Sequence, residues 1–486
     1  MEWGWNDVSR ISHYLDSCME CAEALRVLLG AEDARRLAQA WETRPLLANN
    51  WKPPNNLPLT LEDIDPILCK AATQNSQAEL LTFANLKPQN GTNNPHSAFS
   101  HGASIVVNHA DKVHHKLNLL CQQLAGVFRH TYCQLYFTPP GAQTAPPHSD
   151  DRDVLILHIH GKKRWCVWGR QGCPQRYPFS NEVVGKGSQH LSQDRMGCPE
   201  LESDLSPGDV LYIPRGAPHV ARASGCEAAP SLHVTIAIPT ADLSWTGLVL
   251  RGVESTCFAS LPFRRAIPLG PLPRAGGEAK SRMHCKLEVI VSSGSALLVR
   301  IRVGPNFVQD ADDKWRAAFS EALDVVRSKF SANTLLKVLD QRMKETAEAQ
   351  SASPMRVDRA LSLLSASGHD AASRVGVPHW ALEPLYPSTI LRKIVPLELM
   401  VQPPSANHRR RAVAQARPIP GGRGSSMYTF VPPTVWEAIA SFANLHIDAE
   451  IELRSLPAGH AFLRACAARV LLQLRVAEIA KTESTE

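Results

Sequence analysis

The sequence lacks most of the signals that announce a function directly. No run approaches 18 consecutive apolar residues, so no membrane-spanning helix is expected. The opening residues Met1-Glu2-Trp3-Gly4-Trp5-Asn6 have neither a basic segment nor an apolar stretch, so a secretory leader is not expected either. A phosphate-cradling glycine loop, a GxSxG nucleophile turn and a dinucleotide fingerprint are all missing. The twelve cysteines are scattered, and only Cys18 and Cys21 form a CxxC, with no second pair at zinc-ribbon distance. Two small inward-facing residues on a helix account for that pair. So long a chain does not need a disulfide framework, and a reducing compartment is expected. Charge of one sign is not in large excess: 52 Lys and Arg stand against 46 Asp and Glu, a net +6. That balance suits an acidic or nucleic-acid partner and suits ordinary charge scatter equally, so nucleic acid stays open.

What is present divides by pattern. A chain of 486 residues, 44% hydrophobic and 20% charged, has room for two to four domains. Ala22, Leu25, Leu28 and Leu29, then Ala34, Leu37, Ala38 and Trp41 after Gly30, predict helix over 8–40, stopped by Pro45. Residues 61–86 suggest further short helices and 88–100 a polar loop. From Val113 to Phe128 the apolar spacing again follows 3.6 residues and predicts a helix over 113–130. Strand patterns follow at Cys133–Phe137, Val154–Ile159, Arg164–Trp168, Val210–Ile213 and His233–Ile238, separated by Pro/Gly turns. Such a run reads as a sandwich or barrel. Beyond Pro239, residues 242–256 are amphipathic, 287–291 and 296–303 form a hairpin pattern, and 313–345 read as long helices with Trp315, Phe319, Ala322, Val326 and Phe330 on one face. Ala347–Pro354 has the composition of a linker. A strand-like Ile390–Val401, a basic loop, Tyr428–Val431 and helices at 434–444 and 459–480 resemble a small winged-helix module. The expected fold class is α+β. A helical N-terminal part (1–110) packs on a strand-rich core (111–240), followed by a helical segment with a hairpin insertion (241–375) and a winged-helix-like module (376–486).

The residue types that carry chemistry sit in the core. His148 and Asp150 are two apart, and on a strand such residues share a face. His219 follows the turn Pro214-Arg215-Gly216-Ala217-Pro218, where a barrel can bring a third ligand across from another strand. Two imidazoles and one carboxylate make a three-point metal face with open positions, the set used by non-haem Fe(II) oxygenases. Lys163 comes after the Gly161-Lys162 turn, at the start of the strand expected to run antiparallel to the ligand strand. A buried lysine needs an anion, and a dicarboxylate cosubstrate supplies one. Tyr136 and Thr235 offer hydroxyl donors to the same carboxylate, although ordinary strand filling explains either taken singly. His158 and His160 form an HxH without a nearby carboxylate and read as strand residues. His114-His115, His130 and His190 lack suitable company. Arg409-Arg410-Arg411 with Arg417 and Arg423 make a basic loop that fits RNA, an acidic protein or plain solvation.

These residues carry a specific resemblance. Tyr136-Phe137-Thr138-Pro139-Pro140-Gly141, Pro146-Pro147-His148-Ser149-Asp150-Asp151, His160-Gly161-Lys162-Lys163-Arg164-Trp165 and Gly208-Asp209-Val210-Leu211-Tyr212-Ile213-Pro214-Arg215-Gly216-Ala217-Pro218-His219 resemble the JmjC ribosomal oxygenases. That family holds the bifunctional lysine-demethylase/histidyl-hydroxylases and the bacterial arginyl hydroxylases. Trp41-Glu42-Thr43-Arg44-Pro45-Leu46-Leu47 is similar to its WEKRPL motif. The resemblance implies a double-stranded β-helix core of the jelly-roll or cupin type, a helical dimerisation segment and a C-terminal winged helix. It implies that His148, Asp150 and His219 bind Fe(II) and that Lys163, Tyr136 and Thr235 hold 2-oxoglutarate. Gln134 stands beside the cosubstrate where the family usually has Asn, and Ala237 where Ser is common. The implied activity is hydroxylation of a ribosomal protein side chain, histidine foremost. A histone-lysine demethylase of the same chemistry and a non-catalytic cupin-like interaction protein are the alternatives. A homodimer without membrane attachment, in the nucleus or nucleolus with the cytoplasm as alternative, completes the expectation.

Overall fold

The computed structural model describes residues 23–49, 59–73, 76–89, 94–169, 196–225, 229–239, 286–291, 297–302, 332–351, 383–402, 411–416 and 428–481, with isolated positions between them. Two helices come first, α1 (Glu23–Leu29) and α2 (Ala31–Ala40). Gly30 separates them at φ 81°, a left-handed conformation that favours glycine, so the expected long helix is broken there. After β1 (Leu46–Ala48) and α3 (Ile64–Ala71) the chain enters β2 (Glu79–Ala84) and β3 (Lys87–Pro88). The short helix α4 (Pro95–Ser100) then leads to β4 (Ser104–Asn108) and α5 (His115–Phe128). The core strands are β5 (Tyr132–Thr138), β6 (Asp153–His160), β7 (Lys163–Val167), β8 (Leu201–Leu205), β9 (Val210–Ile213), β10 (His219–Ala223) and β11 (Ser231–Ile238).

These strands make two antiparallel sheets. The larger runs β1-β9-β6-β11-β5-β4-β2-β3 and the smaller β10-β7-β8. Side-chain alternation explains both faces of the large sheet. Leu155, Leu157, Leu135, Phe137, Val234 and Ile236 point to the main core, which α1, α2, α3 and α5 also fill. Val154, Ile156, Leu211 and Ile213 point the other way and pack with Trp165, Val167 and Leu205 of the small sheet. The result is a cupin-type cup, closed at one end by this second cluster. Gly161 turns β6 into β7 at φ 68°, and a Cβ there would lie 2.1 Å from the Pro230 carbonyl oxygen, so only glycine fits.

Several expectations need correction. Residues 79–84 are a strand rather than helix, and 104–108 are a further strand. The N-terminal part is therefore not simply helical: β2, β3 and β4 extend the core sheet, and a boundary at 110 cuts through it. The run Ile105-Val106-Val107 is too short for periodicity to speak, but it is β-branched and buried on both sides. The polar stretch 88–100 contains α4, started by the Asn94 side chain accepting from the His96 N–H at 3.0 Å with Pro95 in the first turn. β8 reads LESDL and alternates exposed and covered as an edge strand, with too little apolar content to announce itself.

Residues 240–347 form a second compact unit. There the expected hairpin is present as β12 (Lys286–Val291) paired antiparallel with β13 (Leu297–Arg302). Trp315, Phe319, Ala322, Val326 and Phe330 lie outside the described residues. Helix α6 (Ala332–Ser351) runs through half of the supposed linker, because Ala347-Glu348-Ala349-Gln350 are strong helix formers.

Residues 348–486 group with the core. They contain β14 (Ile390–Lys393), β15 (Leu397–Gln402), β16 (Arg411–Ala416), β17 (Tyr428–Val431), α7 (Trp436–Ala443), β18 (Glu450–Glu452), α8 (Ala461–Gln473) and β19 (Ala477–Lys481). The strand expected over 390–401 is broken in two around Pro396. The helix expected over 459–480 stops at Gln473, where Arg475 turns left-handed at φ 55°, and its tail becomes β19. Arg411 opens β16, whereas Arg409, Arg410, Arg417 and Arg423 lie outside the described residues.

One buried ion pair ties this C-terminal region to the core. Arg469 of α8 donates to Asp65 of α3 at 2.8 and 3.2 Å. Asp65 also accepts from the Leu385 N–H at 2.6 Å and pairs with His96 at 2.6 Å. Its carboxyl is fully buried, and the Arg469 charge and His96 hydrogen bond nonetheless hold it well below the usual range. The lowered pKa means that the pair's stabilisation is present above about pH 4 and is lost only as pH falls through the folded value. Arg469→Ala leaves that carboxylate buried and short of a cation, and urea denaturation is expected to show a loss of about 3–5 kcal/mol. A loss below about 1 kcal/mol would show that the tie is dispensable.

Candidate metal centre and the inward polar face

The sequence placed His148 and Asp150 together on a strand. In the structure they stand in the loop between β5 and β6, and only His148 touches a ladder, through an isolated bridge to His219. That bridge is reciprocal: the His148 N–H donates to the His219 carbonyl at 3.1 Å and the His219 N–H to the His148 carbonyl at 2.8 Å. Two more ties fix the loop. Ser149 exchanges hydrogen bonds with the Val184 backbone at 2.9 and 3.1 Å, and the Gly216 N–H donates to the Asp150 carbonyl at 2.9 Å. The following residue, Gly185, lies so close that a Cβ on it would meet the Pro147 oxygen at 2.2 Å.

Both imidazoles are oriented the same way. His148 Nδ1 lies 2.8 Å from the Pro146 carbonyl and His219 Nδ1 lies 3.0 Å from the Ala217 carbonyl, in each case two residues back. Donation from Nδ1–H sets the tautomer and turns the Nε2 lone pair towards the cluster. His219 Nε2 is 3.6 Å from Asp150 Oδ2, and one ligand atom from each of the three residues lies within 4.8 Å of the others. Two neutral nitrogens and one carboxylate oxygen on one face form a donor set that suits Fe(II).

Sequence reasoning missed the brace behind this centre. Tyr212 donates to Asp153 Oδ1 at 2.5 Å, and the same oxygen accepts from the Arg215 N–H at 3.2 Å. The Tyr212 hydroxyl in turn accepts from the Glu42 N–H at 2.8 Å, and Glu42 pairs with the Arg215 guanidinium at 3.2 Å. Trp41 stacks between Phe128 and Tyr212 at 5.1 and 5.4 Å. The Trp41-Glu42 motif is thus docked on the turn that delivers His219.

Polar side chains collect on the inward face of the large sheet. Register places Gln134 opposite Thr235, Tyr136 opposite His233 and Thr138 opposite Ser231, all on the inward face, with His158 opposite His233 from the other side. Tyr136 donates to Gln134 at 3.2 Å and stacks on His233 at 4.9 Å. Burial and the Asp150 charge raise its phenol pKa. Ala237 continues the inward row. Lys163 starts a strand antiparallel to one that carries a ligand, but that strand is β10 with His219 and not one carrying His148 and Asp150. Lys163 begins β7 between β10 and β8, opposite Ala223, four residues along from His219. Its side chain is 2% exposed and donates to the Thr138 hydroxyl at 3.1 Å. Burial pulls its ammonium down to about 7. His158, set aside as strand filling, belongs to this inward face: burial lowers it to about 4, and a bulge beside Leu232 and His233 separates it from His160. Burial and Lys163 also hold His233 well below its usual value. Ser231 Oγ, His158 Nδ1, His233 Nδ1 and Trp165 Nε1 are buried with no partner among the described residues. Their signal in the sequence is the alternation of β6 and β11, which puts polar residues inward on otherwise apolar strands.

Residues 107–243 match the JmjC domain family. The chain is 27% identical over 242 residues to the bifunctional lysine-specific demethylase and histidyl-hydroxylase NO66 of Drosophila sechellia, covering 49% of this chain and 34% of that protein. It is 28% identical over 288 residues to ribosomal oxygenase 1 of Gallus gallus, covering 55% of this chain and 45% of that protein. The chain thus spans less than half the length of these relatives. Among solved structures, that of the ribosomal oxygenase YcfD from Escherichia coli, in complex with cobalt and 2-oxoglutarate, is similar at 14% identity and a TM-score of 0.37. It covers 92% of this chain and 98% of that one.

Tyr212→Phe removes the hydroxyl through which Glu42 and Asp153 hold the His219 turn. Calorimetric titration with Fe(II) or Co(II) is expected to show affinity reduced about 10- to 100-fold with the fold retained. Unchanged affinity would mean that the brace does not position the ligands.

Proposed function

We propose that this chain, which carries a JmjC domain, is an Fe(II)/2-oxoglutarate-dependent protein hydroxylase. The observation that carries the reading is the pairing of the His148, Asp150 and His219 face with a buried lysine whose hydrogen bond among the described residues goes to the Thr138 hydroxyl. His148, Asp150 and His219 would hold the iron. The dicarboxylate would lie along this inward polar face, its far carboxylate on Lys163 with the hydroxyls of Tyr136 and Thr235, and Gln134 beside it. Lys163 then regains the anion that its burial requires. Bound together, iron and cosubstrate supply activation of O2, with 2-oxoglutarate going to succinate and CO2 while a substrate C–H gains oxygen. The protein's own work is positional. Pro146 and Ala217 carbonyls fix both ligand rings, the His148–His219 bridge fixes their separation, and Trp165 with the apolar cluster closes the cup against water.

The substrate reading is a ribosomal protein side chain, histidine foremost, supported by the names of the similar proteins. Those names also carry lysine demethylation, so a methylated histone lysine is the second reading. It predicts formaldehyde release in place of a stable hydroxyl. The same proposal includes a homodimer through the helical segment 241–375, a winged-helix-like module at 376–486 and a nuclear or nucleolar location.

Purified chain given Fe(II), 2-oxoglutarate and a set of ribosomal proteins is expected to release succinate and leave one protein heavier by one oxygen. His148→Ala is expected to abolish both. Iron binding without turnover on any ribosomal protein would sink the substrate reading. Lys163 supplies a further check. Because the unliganded lysine titrates near 7, cosubstrate binding above that pH must bring a proton. Apparent affinity for 2-oxoglutarate should fall roughly tenfold per pH unit above 7 and level off below it. Lys163→Met is expected to bind weakly at all pH values while still binding iron. A pH-independent wild-type affinity would remove Lys163 from the carboxylate site.

A further inference from the structure

β5 has two faces. Its inward residues line the cup, while Cys133, Leu135 and Phe137 turn outward into the main core. Opposite Cys133, from α5, stands Cys121, and below both is Asp111 in the one-turn 3-10 helix at Ala110–Lys112. The sequence separates the two cysteines by twelve positions and gave no reason to pair them. The fold puts one ligand atom from each of Asp111, Cys121 and Cys133 within 4.8 Å of the others. All three residues are 0% exposed.

The carboxylate at this point is not explained by the protein's own hydrogen bonds. Asp111 Oδ1 accepts from the Cys133 N–H at 3.0 Å. Asp111 Oδ2 is buried with no partner among the described residues, as is Nδ1 of His109 on the same turn. His109 enters that turn at φ 55°, a left-handed conformation uncommon for a residue with a side chain. A buried carboxylate oxygen left unmatched is costly, and an apolar residue at 111 would avoid the cost.

We propose that Asp111, Cys121 and Cys133 form a second metal site, separate from the His148 centre, for a borderline-soft divalent cation of the zinc type. Two thiolates exclude magnesium and calcium, which take oxygen ligands, and select zinc or a close analogue. On binding, both S–H bonds give way to S–metal bonds and two protons leave to solvent, along with the carboxyl proton where Asp111 holds one. Without the cation, burial keeps both thiols protonated: it raises the pKa of Cys121 and of Cys133. The site ties α5 to β5 from behind the strand that carries Gln134 and Tyr136, and so acts as a structural staple. It stands whatever reacts in the cup.

The test uses the full chain with His148→Ala, so that the first centre is removed, stripped by chelator and titrated with Co(II). A thiolate-to-cobalt charge-transfer band in the near ultraviolet is expected, and it should vanish in Cys121→Ser and in Cys133→Ser. Asp111→Asn keeps an oxygen for the Cys133 N–H but loses the anionic ligand. It should bind cobalt more weakly by at least the roughly tenfold seen for loss of a supporting partner. Where a serine variant fails to fold, zinc-edge X-ray absorption on the His148→Ala chain decides. Two sulfur neighbours support the site. No thiolate band at excess cobalt, a band that survives both serine variants, unchanged affinity in Asp111→Asn, or a zinc shell of nitrogen and oxygen only would each overturn it.

Discussion

The reciprocal backbone pair between His148 and His219 is the contact on which the centre depends. A loop carrying two ligands cannot hold them to a fraction of an ångström by itself, since its peptide groups have no ladder to satisfy them. One bridge converts His148 into an honorary strand residue and fixes its distance from His219. Everything nearby then reinforces that pair from a different direction. Val184 and Gly185 press on the loop from one side, Gly216 holds the Asp150 carbonyl from another, and the Glu42–Tyr212–Asp153–Arg215 network steadies the turn before His219. The two Nδ1 hydrogen bonds to carbonyls two residues upstream finish the work, since a ring with the wrong tautomer would present a proton where a metal ligand needs a lone pair.

The inward polar face follows a different logic. A lysine 2% exposed beside two neutral histidines is an expensive arrangement for a protein that only needs to fold. Replacing Lys163 by methionine would fill much the same space without the desolvation. The cost is accepted together with four polar atoms that have no partner among the described residues, Ser231 Oγ, His158 Nδ1, His233 Nδ1 and Trp165 Nε1. Such polarity, collected on one inward face, suits a charged guest. The proposed dicarboxylate would meet the metal ligands at one end and Lys163 at the other.

How much of this was legible depends on what each residue type announces alone. His148, Asp150, His219 and Lys163 could be named because their spacing and flanking turns are distinctive. Tyr136 and Thr235 could be named only as hydroxyl donors and Gln134 only through the resemblance; the register of β5 and β11 is what puts all three on one face. His158 and His233 could not be singled out, since a histidine on a buried strand is ordinary until its neighbours are known. Strands β2, β4 and β8 were lost for opposite reasons: β4 is too short and uniformly apolar for a period, and β8 too charged. The ends of α6 and α8 went wrong where composition misled. Ala347 and its neighbours look like a linker but favour helix, whereas Arg475 ends a helix through a backbone angle that no composition reveals.

The same limit explains why Asp65 and Asp111 were invisible. Each is a single acid in an unremarkable segment, and each is buried against partners far along the chain or on another element. Their environments differ in one respect that matters. Asp65 is fully met, by Arg469, His96 and the Leu385 N–H, so it needs nothing more. Asp111 has one oxygen met and, among the described residues, one not, beside two thiols. Both acids sit in the main core, in the same apolar surroundings, so burial alone does not separate a structural acid from a ligand. The balance of donors does: where the protein supplies enough, the acid is part of the scaffold, and where it stops short, the missing charge must come from outside.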